Sequence, residues 1–239
     1  DRLERLAAEQ PGQRIQTSVR QALQRQTQAL VNRYAREYSS NHIHNLAAIV
    51  ADVETGEELD YAGNATYPAD ERQGNQVDII TSPRSTGSIL KPFLYAGMLH
   101  DGLLLPSMLV SDVPLNINGF SPHNYNKTFY GAVPAHVAIE RSLNVPLVRM
   151  LSQYNTGRFM SLLKSWGMTT LRFSEEHYGA SLILGGAEGT LWDLSGMYAS
   201  MSRVLKHYRT YNGRYNPADI HPLTPFPAER KEPVSYTHL

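Results

Sequence analysis

The stretch Gly87-Ser88-Ile89-Leu90-Lys91-Pro92-Phe93 is the most informative part of this 239-residue chain. Positions i and i+3 of a helix lie on one face, so the Ser88 hydroxyl and the Lys91 amine can meet. Proline is tolerated only in the first turn of a helix, where backbone N–H groups have no intrahelical acceptor. Pro92 therefore places Ser88 at or next to a helix N-terminus, where the dipole favours an alkoxide and a nearby oxyanion. We interpret Ser88 as a nucleophile and Lys91 as its base.

A second candidate element follows in the stretch Glu140-Arg141-Ser142-Leu143-Asn144-Val145-Pro146. Beside a serine nucleophile and its base, a second hydroxyl is suited to relay a proton, and an amide is suited to hold a carbonyl group. Ser142 and Asn144 supply these two groups. The preceding apolar stretch, 133–139, is predicted to be helical. An alternative left open at this stage is that the triplet is simply a helix C-terminus that ends at Pro146.

Four motifs in order resemble the transpeptidase domain of class A penicillin-binding proteins. The S-x-x-K pair is followed by Pro122-His123-Asn124-Tyr125, by a G-x-V string at 131–133, and by Ser142-Leu143-Asn144. Further on, the string Leu-Gly-Gly-Ala-Glu-Gly-Thr at 184–190 resembles the L-G-G segment of that family. The lead-in at 84–88 is most similar to the 1C branch. The likeness extends over residues 14–205.

The resemblance implies an α+β fold of the serine penicillin-binding and β-lactamase type, a sheet flanked by a helical lobe that carries the nucleophile. It implies an acyl-serine D,D-transpeptidase that acts on D-Ala-D-Ala stem peptides of peptidoglycan, with D,D-carboxypeptidase activity as a side reaction. The implied catalytic residues are Ser88, Lys91, Ser142 and Asn144. β-Lactams would be covalent inhibitors, and neither a metal nor an organic cofactor is expected.

The same resemblance implies a larger parent protein at the periplasmic, extracytoplasmic face of the bacterial cytoplasmic membrane, with a glycosyltransferase domain and a membrane anchor. The third family motif, K-T-G on a β-strand, is missing, because no lysine of this sequence begins K-T-G or K-S-G. In the family this strand supplies the second wall of the cleft and a cation beside the base. We therefore expect a fragment that is inactive alone: an interdomain linker at 1–13, a partial transpeptidase domain at 14–233 and a non-native tail at 234–239.

Composition excludes several other classes of function. The 22 basic and 22 acidic residues balance, so nothing indicates a nucleic acid or an anionic membrane surface as partner. Cysteine is absent, which excludes disulfides and thiolate chemistry. No apolar run approaches the ~18 residues of a membrane span. His42 and His44 form a pair without a third ligand at a useful spacing, which argues against zinc.

Local patterns predict several elements outside the motifs. The apolar spacing of 21–38 is typical of an amphipathic helix. The apolar run 46–53 predicts a buried strand, with 58–61 as its hairpin partner. The segment 106–122 is predicted to be a turn-rich connection, and 208–233 to be a loop or an unfolded end.

The alternative function is a β-lactam-sensing or muropeptide-binding module that acylates or binds without turnover. Sensor domains share S-x-x-K, whereas the P-x-N-Y and S-L-N-x-P strings favour the synthase. Glu140 also falls in an E-x-x-L-N string like that of the deacylating glutamate of class A β-lactamases. In those enzymes the glutamate lies well downstream of the S-D-N serine, so we interpret Glu140 as a surface helix residue.

Overall fold

A computed structural model describes residues 7–8, 11–66, 73–117 and 119–228. The chain divides into two compact units, the first made of 1–82 and 191–239 and the second of Pro83–Thr190. All four candidate catalytic residues fall in the second unit. The predicted tail at 234–239, and residues 1–6 and 9–10 of the predicted linker, lie outside the described residues.

Helices and short strands alternate along the chain. The helices are α1 (Gln21–Tyr38), α2 (Lys91–His100), α3 (Ala135–Glu140), α4 (Asn144–Tyr154), α5 (Thr156–Ser165), α6 (Glu175–Tyr178) and α7 (Leu191–His207). The strands are β1 (Ala48–Ala51), β2 (Glu58–Ala62), β3 (Arg84–Ser85), β4 (Leu109–Asp112), β5 (Gly131–Pro134) and β6 (Glu188–Gly189). They pair antiparallel, β1 with β2, β3 with β6 and β4 with β5. Within the described ranges, no helix is both long enough and apolar enough to cross a bilayer.

In the first unit, α1 packs against the β1–β2 hairpin. Val31 and Ala35 on one face of α1 are buried against Ala62, the last residue of β2. The turn between the strands contains Gly56 at a φ of +70°, a conformation that glycine adopts without a steric penalty. The helix predicted at 21–38 and the hairpin are confirmed. β1 is shorter than the predicted apolar run, and the prediction that this strand is buried is wrong, because all four of its residues are only half-buried.

The C-terminal part of the first unit is held by a buried arginine on α7. Arg203 is 1% exposed and donates to the backbone oxygens of Val53, Asp219 and His221 at 2.6, 2.8 and 3.1 Å. A charged group is tolerated in the interior when its donors are satisfied in this way. The prediction of a loop or an unfolded end at 208–233 is confirmed as a loop for its described part, which contains one 3₁₀ turn at Pro217–Asp219.

The second unit is organised around α4, which packs against α2 and α5. Its core is formed by apolar side chains from these three helices: Phe93, Leu94, Met98, Leu147, Val148, Met150, Leu151, Phe159 and Leu163. α2 and α5 approach closely at Gly97, where a Cβ atom would lie 2.7 Å from Leu162 Cδ2. This core fixes the start of α2, which carries Lys91, relative to the start of α4.

Two sequence predictions in the second unit need correction. The segment 106–122, expected to be a connection, contains β4, whose burial alternates along its four residues with Val110 and Asp112 inside. Val133, expected in a helix, lies in β5 opposite Val110, and α3 begins only at Ala135. A four-residue strand with a buried aspartate does not give an apolar alternation that sequence reasoning detects.

Candidate active site

Ser88 precedes the first turn of α2. The helix begins at Lys91, Pro92 lies in its first turn, and the Lys91 N–H donates to the Ser88 carbonyl oxygen at 3.1 Å. The Ser88 side chain is exposed. The position predicted from Pro92, next to the N-terminus of the helix, is confirmed. An exposed serine there is accessible to a ligand and lies at the positive end of the helix dipole.

The loop that leads to Ser88 is held by the L-G-G segment. Ser85 Oγ donates to the Gly185 carbonyl oxygen at 2.7 Å, and Thr86 N donates to the Ala187 carbonyl oxygen at 3.0 Å. Gly185 has a φ of +101°, and a Cβ atom there would lie 2.7 Å from Ser85 Oγ. In the sequence this segment was visible only as a motif of the resemblance, and in the structure it directly contacts the loop that precedes Ser88.

Lys91 is buried, with 2% of its surface exposed. Its Nζ donates to the Ser142 carbonyl oxygen at 2.8 Å, to Ser142 Oγ at 3.1 Å and to Asn144 Oδ1 at 2.7 Å. Three candidate residues from separate parts of the chain are thus brought together. Burial lowers the pKa of Lys91 to about 8, because desolvation penalises the ammonium form.

Ser142 occupies a backbone position that usually belongs to glycine. It follows the end of α3 at a φ of +50°, in the left-handed region. Ser142 N donates to Ile139 O and Leu143 N donates to Ala138 O, both at 2.9 Å. This pair of bonds is the Schellman motif, in which the left-handed residue after the helix is most often glycine. A serine there accepts a conformational penalty and places a hydroxyl next to the Lys91 amine.

Asn144 is the first residue of α4, and Pro146 lies in the first turn of that helix. The alternative of a helix C-terminus ending at Pro146 is therefore wrong. Asn144 Nδ2 donates to the His123 carbonyl oxygen at 2.9 Å, so Oδ1 faces the Lys91 amine. Asn144 N donates to Asn124 Oδ1 at 2.9 Å. The P-x-N-Y motif thus contacts the candidate site directly.

Two residues to which sequence reasoning gave no role lie behind the site, Asp112 and Asn124. Asp112 is fully buried and Asn124 is 2% exposed, and the two side chains are hydrogen-bonded. Asn124 appeared in the sequence only as part of a motif, and Asp112 gave no signal. Glu140 is exposed at the end of α3, as a surface helix residue would be. Among the described residues, no cluster of histidine and acidic side chains could hold a metal ion.

Comparisons of the sequence found similar proteins. A family model described as the penicillin binding protein transpeptidase domain matches residues 46–190. Penicillin-binding protein 1C of Escherichia coli (strain K12) is 33% identical over 190 residues, which cover 80% of this chain and 24% of that protein. Penicillin-binding protein 1A of Rickettsia felis is 26% identical over 162 residues, or 65% of this chain and 19% of that protein. The chain therefore spans a quarter or less of the length of these curated relatives.

Solved structures share the fold. The apo transpeptidase domain of Burkholderia pseudomallei penicillin-binding protein 3 superposes with a TM-score of 0.69 at 20% identity, covering 93% of this chain and 65% of that one. Mycobacterium tuberculosis PonA1 in complex with penicillin V superposes with a TM-score of 0.63 at 20% identity, covering 84% of this chain and 54% of that one. The predicted α+β fold is confirmed by these neighbours.

Proposed function

This chain belongs to the transpeptidase-domain family of penicillin-binding proteins, and on that basis we propose that it is a peptidoglycan D,D-transpeptidase domain with an acyl-serine mechanism. The observation that carries the proposal is the buried Lys91 amine, held by Ser142 and Asn144 and one helical turn from the exposed Ser88. A lysine with a pKa of about 8 is neutral often enough near neutral pH to act as a base.

In the proposed acylation, Ser88 Oγ attacks the carbonyl carbon of the penultimate D-alanine, and the neutral Lys91 amine accepts the hydroxyl proton. Ser142 O and Asn144 Oδ1 can only accept, so they take the two N–H bonds of the neutral amine, and its lone pair remains to accept a proton. The Ser142 hydroxyl then relays a proton to the nitrogen of the leaving D-alanine. A neighbouring stem-peptide amine, or water in the carboxypeptidase side reaction, resolves the acyl-enzyme.

Asn144 holds the base and binds the substrate in this mechanism. Its Oδ1 holds the Lys91 amine, and one N–H of its amide group is used by the His123 carbonyl oxygen. An amide group carries two N–H donors. We assign the second donor to a backbone carbonyl of the stem peptide, which would fix the substrate beside Ser88.

The developing oxyanion is assigned to the backbone N–H of Ser88 and to a second donor on the K-T-G strand of the family, which this sequence lacks. Loss of one oxyanion donor typically costs ~10²–10³ in rate. We therefore propose that these 239 residues do not turn over alone and that Ser88 is acylated slowly. β-Lactams are proposed as covalent inhibitors, and stem peptides of extracytoplasmic peptidoglycan as the substrate. We further propose that a glycosyltransferase domain and a membrane anchor belong to the same protein.

The test is labelling of the purified chain with a fluorescent penicillin, followed by peptide mapping. We expect slow stoichiometric labelling at Ser88, its loss in Ser88→Ala, and no change in Ser107→Ala, which removes an exposed hydroxyl of the same unit. Equal labelling of wild type and Ser88→Ala would overturn the assignment. The same chain joined to the K-T-G segment of the E. coli relative should label faster and release D-alanine from a pentapeptide. Labelling without that release would favour the sensing module instead.

A further inference from the structure

The side chain of Asn124 caps the start of α4. Its Oδ1 accepts from the backbone N–H of Asn144 at 2.9 Å and of Val145 at 3.3 Å. These are two of the N–H groups that have no acceptor within a helix. Because Asn124 is only 2% exposed, water cannot easily replace it in this role. The backbone of Asn144 is therefore held by a side chain from 20 residues earlier in the chain.

Asp112 determines which way the Asn124 amide points. The fully buried Asp112 carboxylate accepts from Asn124 Nδ2 with both oxygens, at 2.9 and 3.0 Å, and one oxygen also accepts from Tyr130 N at 3.0 Å. The Thr128 carbonyl oxygen is a further acceptor for Asn124 Nδ2, at 2.9 Å. A carboxylate can only accept. A reversed Asn124 amide would face oxygens with its own oxygen, so Oδ1 must face α4.

His123, the residue before Asn124, holds the side chain of Asn144. The His123 carbonyl oxygen accepts from Asn144 Nδ2 at 2.9 Å, which leaves Asn144 Oδ1 directed at Lys91 Nζ at 2.7 Å. Two adjacent residues thus fix both the backbone and the side chain of Asn144. A continuous path of hydrogen bonds connects the Asp112 carboxylate with the Lys91 amine.

The buried Asp112 carboxylate holds both the local chain, through Tyr130 N, and the Asn124 amide. Among the described residues, none forms an ion pair with this carboxylate, and its hydrogen bonds come from an amide and a backbone N–H. A buried charge without a counter-ion carries a desolvation penalty that an apolar residue would avoid. An apolar residue, however, could not impose one orientation on Asn124.

We propose that Asp112 and Asn124 are positioning residues for the Lys91 base. They do not touch the substrate; they lock Asn144, and Asn144 in turn orients the amine. The inference deepens the proposed function and rests on it. Misplacing a catalytic group by about 1 Å typically costs about 10²-fold in rate, which sets the expected effect of losing the lock.

The test uses two variants of Asn124. Asn124→Ala removes the acceptor that holds the start of α4, and Asn124→Asp places a second carboxylate against Asp112. Asn126→Asp is the matched control, because Asn126 is exposed in the same loop and, among the described residues, its side chain bonds to Thr128 and Tyr130 of that loop. Penicillin acylation of the 239-residue chain is followed by intact mass over a range of penicillin concentrations. Rates are normalised to the folded fraction from near-ultraviolet circular dichroism.

For both Asn124 variants we expect the limiting acylation rate per folded molecule to fall about 10²-fold. The half-saturating penicillin concentration should rise as well, because the displaced Asn144 is also assigned to the substrate carbonyl. Amide hydrogen exchange at Asn144 and Val145 should accelerate in Asn124→Ala and stay at the wild-type rate in the control. The double variant Asp112→Asn/Asn124→Asp restores one amide–carboxylate hydrogen bond with an acceptor still facing α4. The recovery is partial, because the Thr128 carbonyl oxygen then faces a carboxylate oxygen in place of an N–H donor. The double variant should recover about tenfold of the rate relative to Asn124→Asp, as expected for directly coupled residues.

A rate loss that disappears after normalisation to the folded fraction would reduce the pair to a purely structural role and overturn the inference. Wild-type rates in Asn124→Ala would overturn it as well. Failure of the proposed function has a different signature, because wild type itself would then not label at Ser88. In that case the exchange rates at Asn144 and Val145 still show whether Asn124 holds α4.

Discussion

The burial of Lys91 makes a quantitative prediction about pH. If the neutral amine is the base, the acylation rate of Ser88 follows the neutral fraction of Lys91. With a pKa of about 8, this fraction is ~10% at pH 7, ~50% at pH 8 and ~90% at pH 9. The rate should therefore rise about tenfold from pH 7 to pH 9 and level off. A lysine at its ordinary pKa would give about a 100-fold rise over the same interval, without a plateau.

The assay is the second-order rate constant of penicillin acylation, measured by intact mass between pH 6 and 9.5 and corrected for spontaneous penicillin hydrolysis. Lys164→Met, which removes an exposed lysine of α5, should reproduce the wild-type profile. Lys91→Met should abolish acylation at every pH. A wild-type profile that is flat, or that climbs log-linearly through pH 9, would refute the assignment of a buried Lys91 as the base.

The same burial has a signed effect on stability. The folded-state pKa of Lys91, about 8, lies below the ordinary value of 10.5, so the unfolded chain binds more protons between these two pH values. Stability therefore rises with pH across that window, and the penalty, about 3 kcal/mol, is fully present below pH 8. The unfolding free energy of wild type relative to Lys91→Met should rise by about 1.3 kcal/mol from pH 7 to pH 9. Urea unfolding at the two pH values measures it.

Two further substitutions test the backbone around the site. Ser142→Gly relieves the left-handed conformation at a φ of +50° and should raise the unfolding free energy by about 1 kcal/mol while slowing acylation. Urea unfolding measures the first effect and penicillin labelling the second. A destabilised variant would contradict the argument. Gly185→Ala forces a Cβ atom to 2.7 Å from Ser85 Oγ and should cost about 1–3 kcal/mol and slow acylation of Ser88. Gly102→Ala is its control, since Gly102 also has a positive φ but nothing within 4 Å of its Cβ position. Similar losses of stability and acylation rate in both variants would show that the contact between Gly185 and the loop before Ser88 is unimportant.

The elements that sequence reasoning predicted well are those whose cause is local. The bounds of α1 agree with the apolar spacing of 21–38, because residues three and four apart form one apolar face, on which Val31 and Ala35 are buried. Pro92 fixed the start of α2 through a steric rule that acts within a single turn. Gly56 gave the hairpin turn for a similar reason. Each of these features is decided by neighbours in the chain.

The contacts that make the candidate site depend on residues far apart in sequence. Lys91 meets Ser142 and Asn144 across separations of 51 and 53 residues, and no periodicity records such a distance. The Ser88–Lys91 pair was visible from helical spacing and the other motifs mainly through a resemblance, and neither gives the hydrogen bonds between these residues. Asp112 was not part of any motif. It acts on the site only by orienting Asn124, and the Asn124 side chain does not itself reach Lys91.

Two residues of the site, Lys91 and Ser142, lower the stability of the fold, and the proposed chemistry explains both. An apolar residue in place of Lys91 would avoid the desolvation that lowers its pKa to about 8, and a glycine in place of Ser142 would relax the left-handed backbone. Either replacement would remove a proton acceptor or a hydroxyl from the same small volume, where the two side chains lie 3.1 Å apart. Backbone strain and a buried charge occur together at this contact, and the surrounding core has ordinary apolar packing. This pattern is expected where selection has favoured proton transfer over stability.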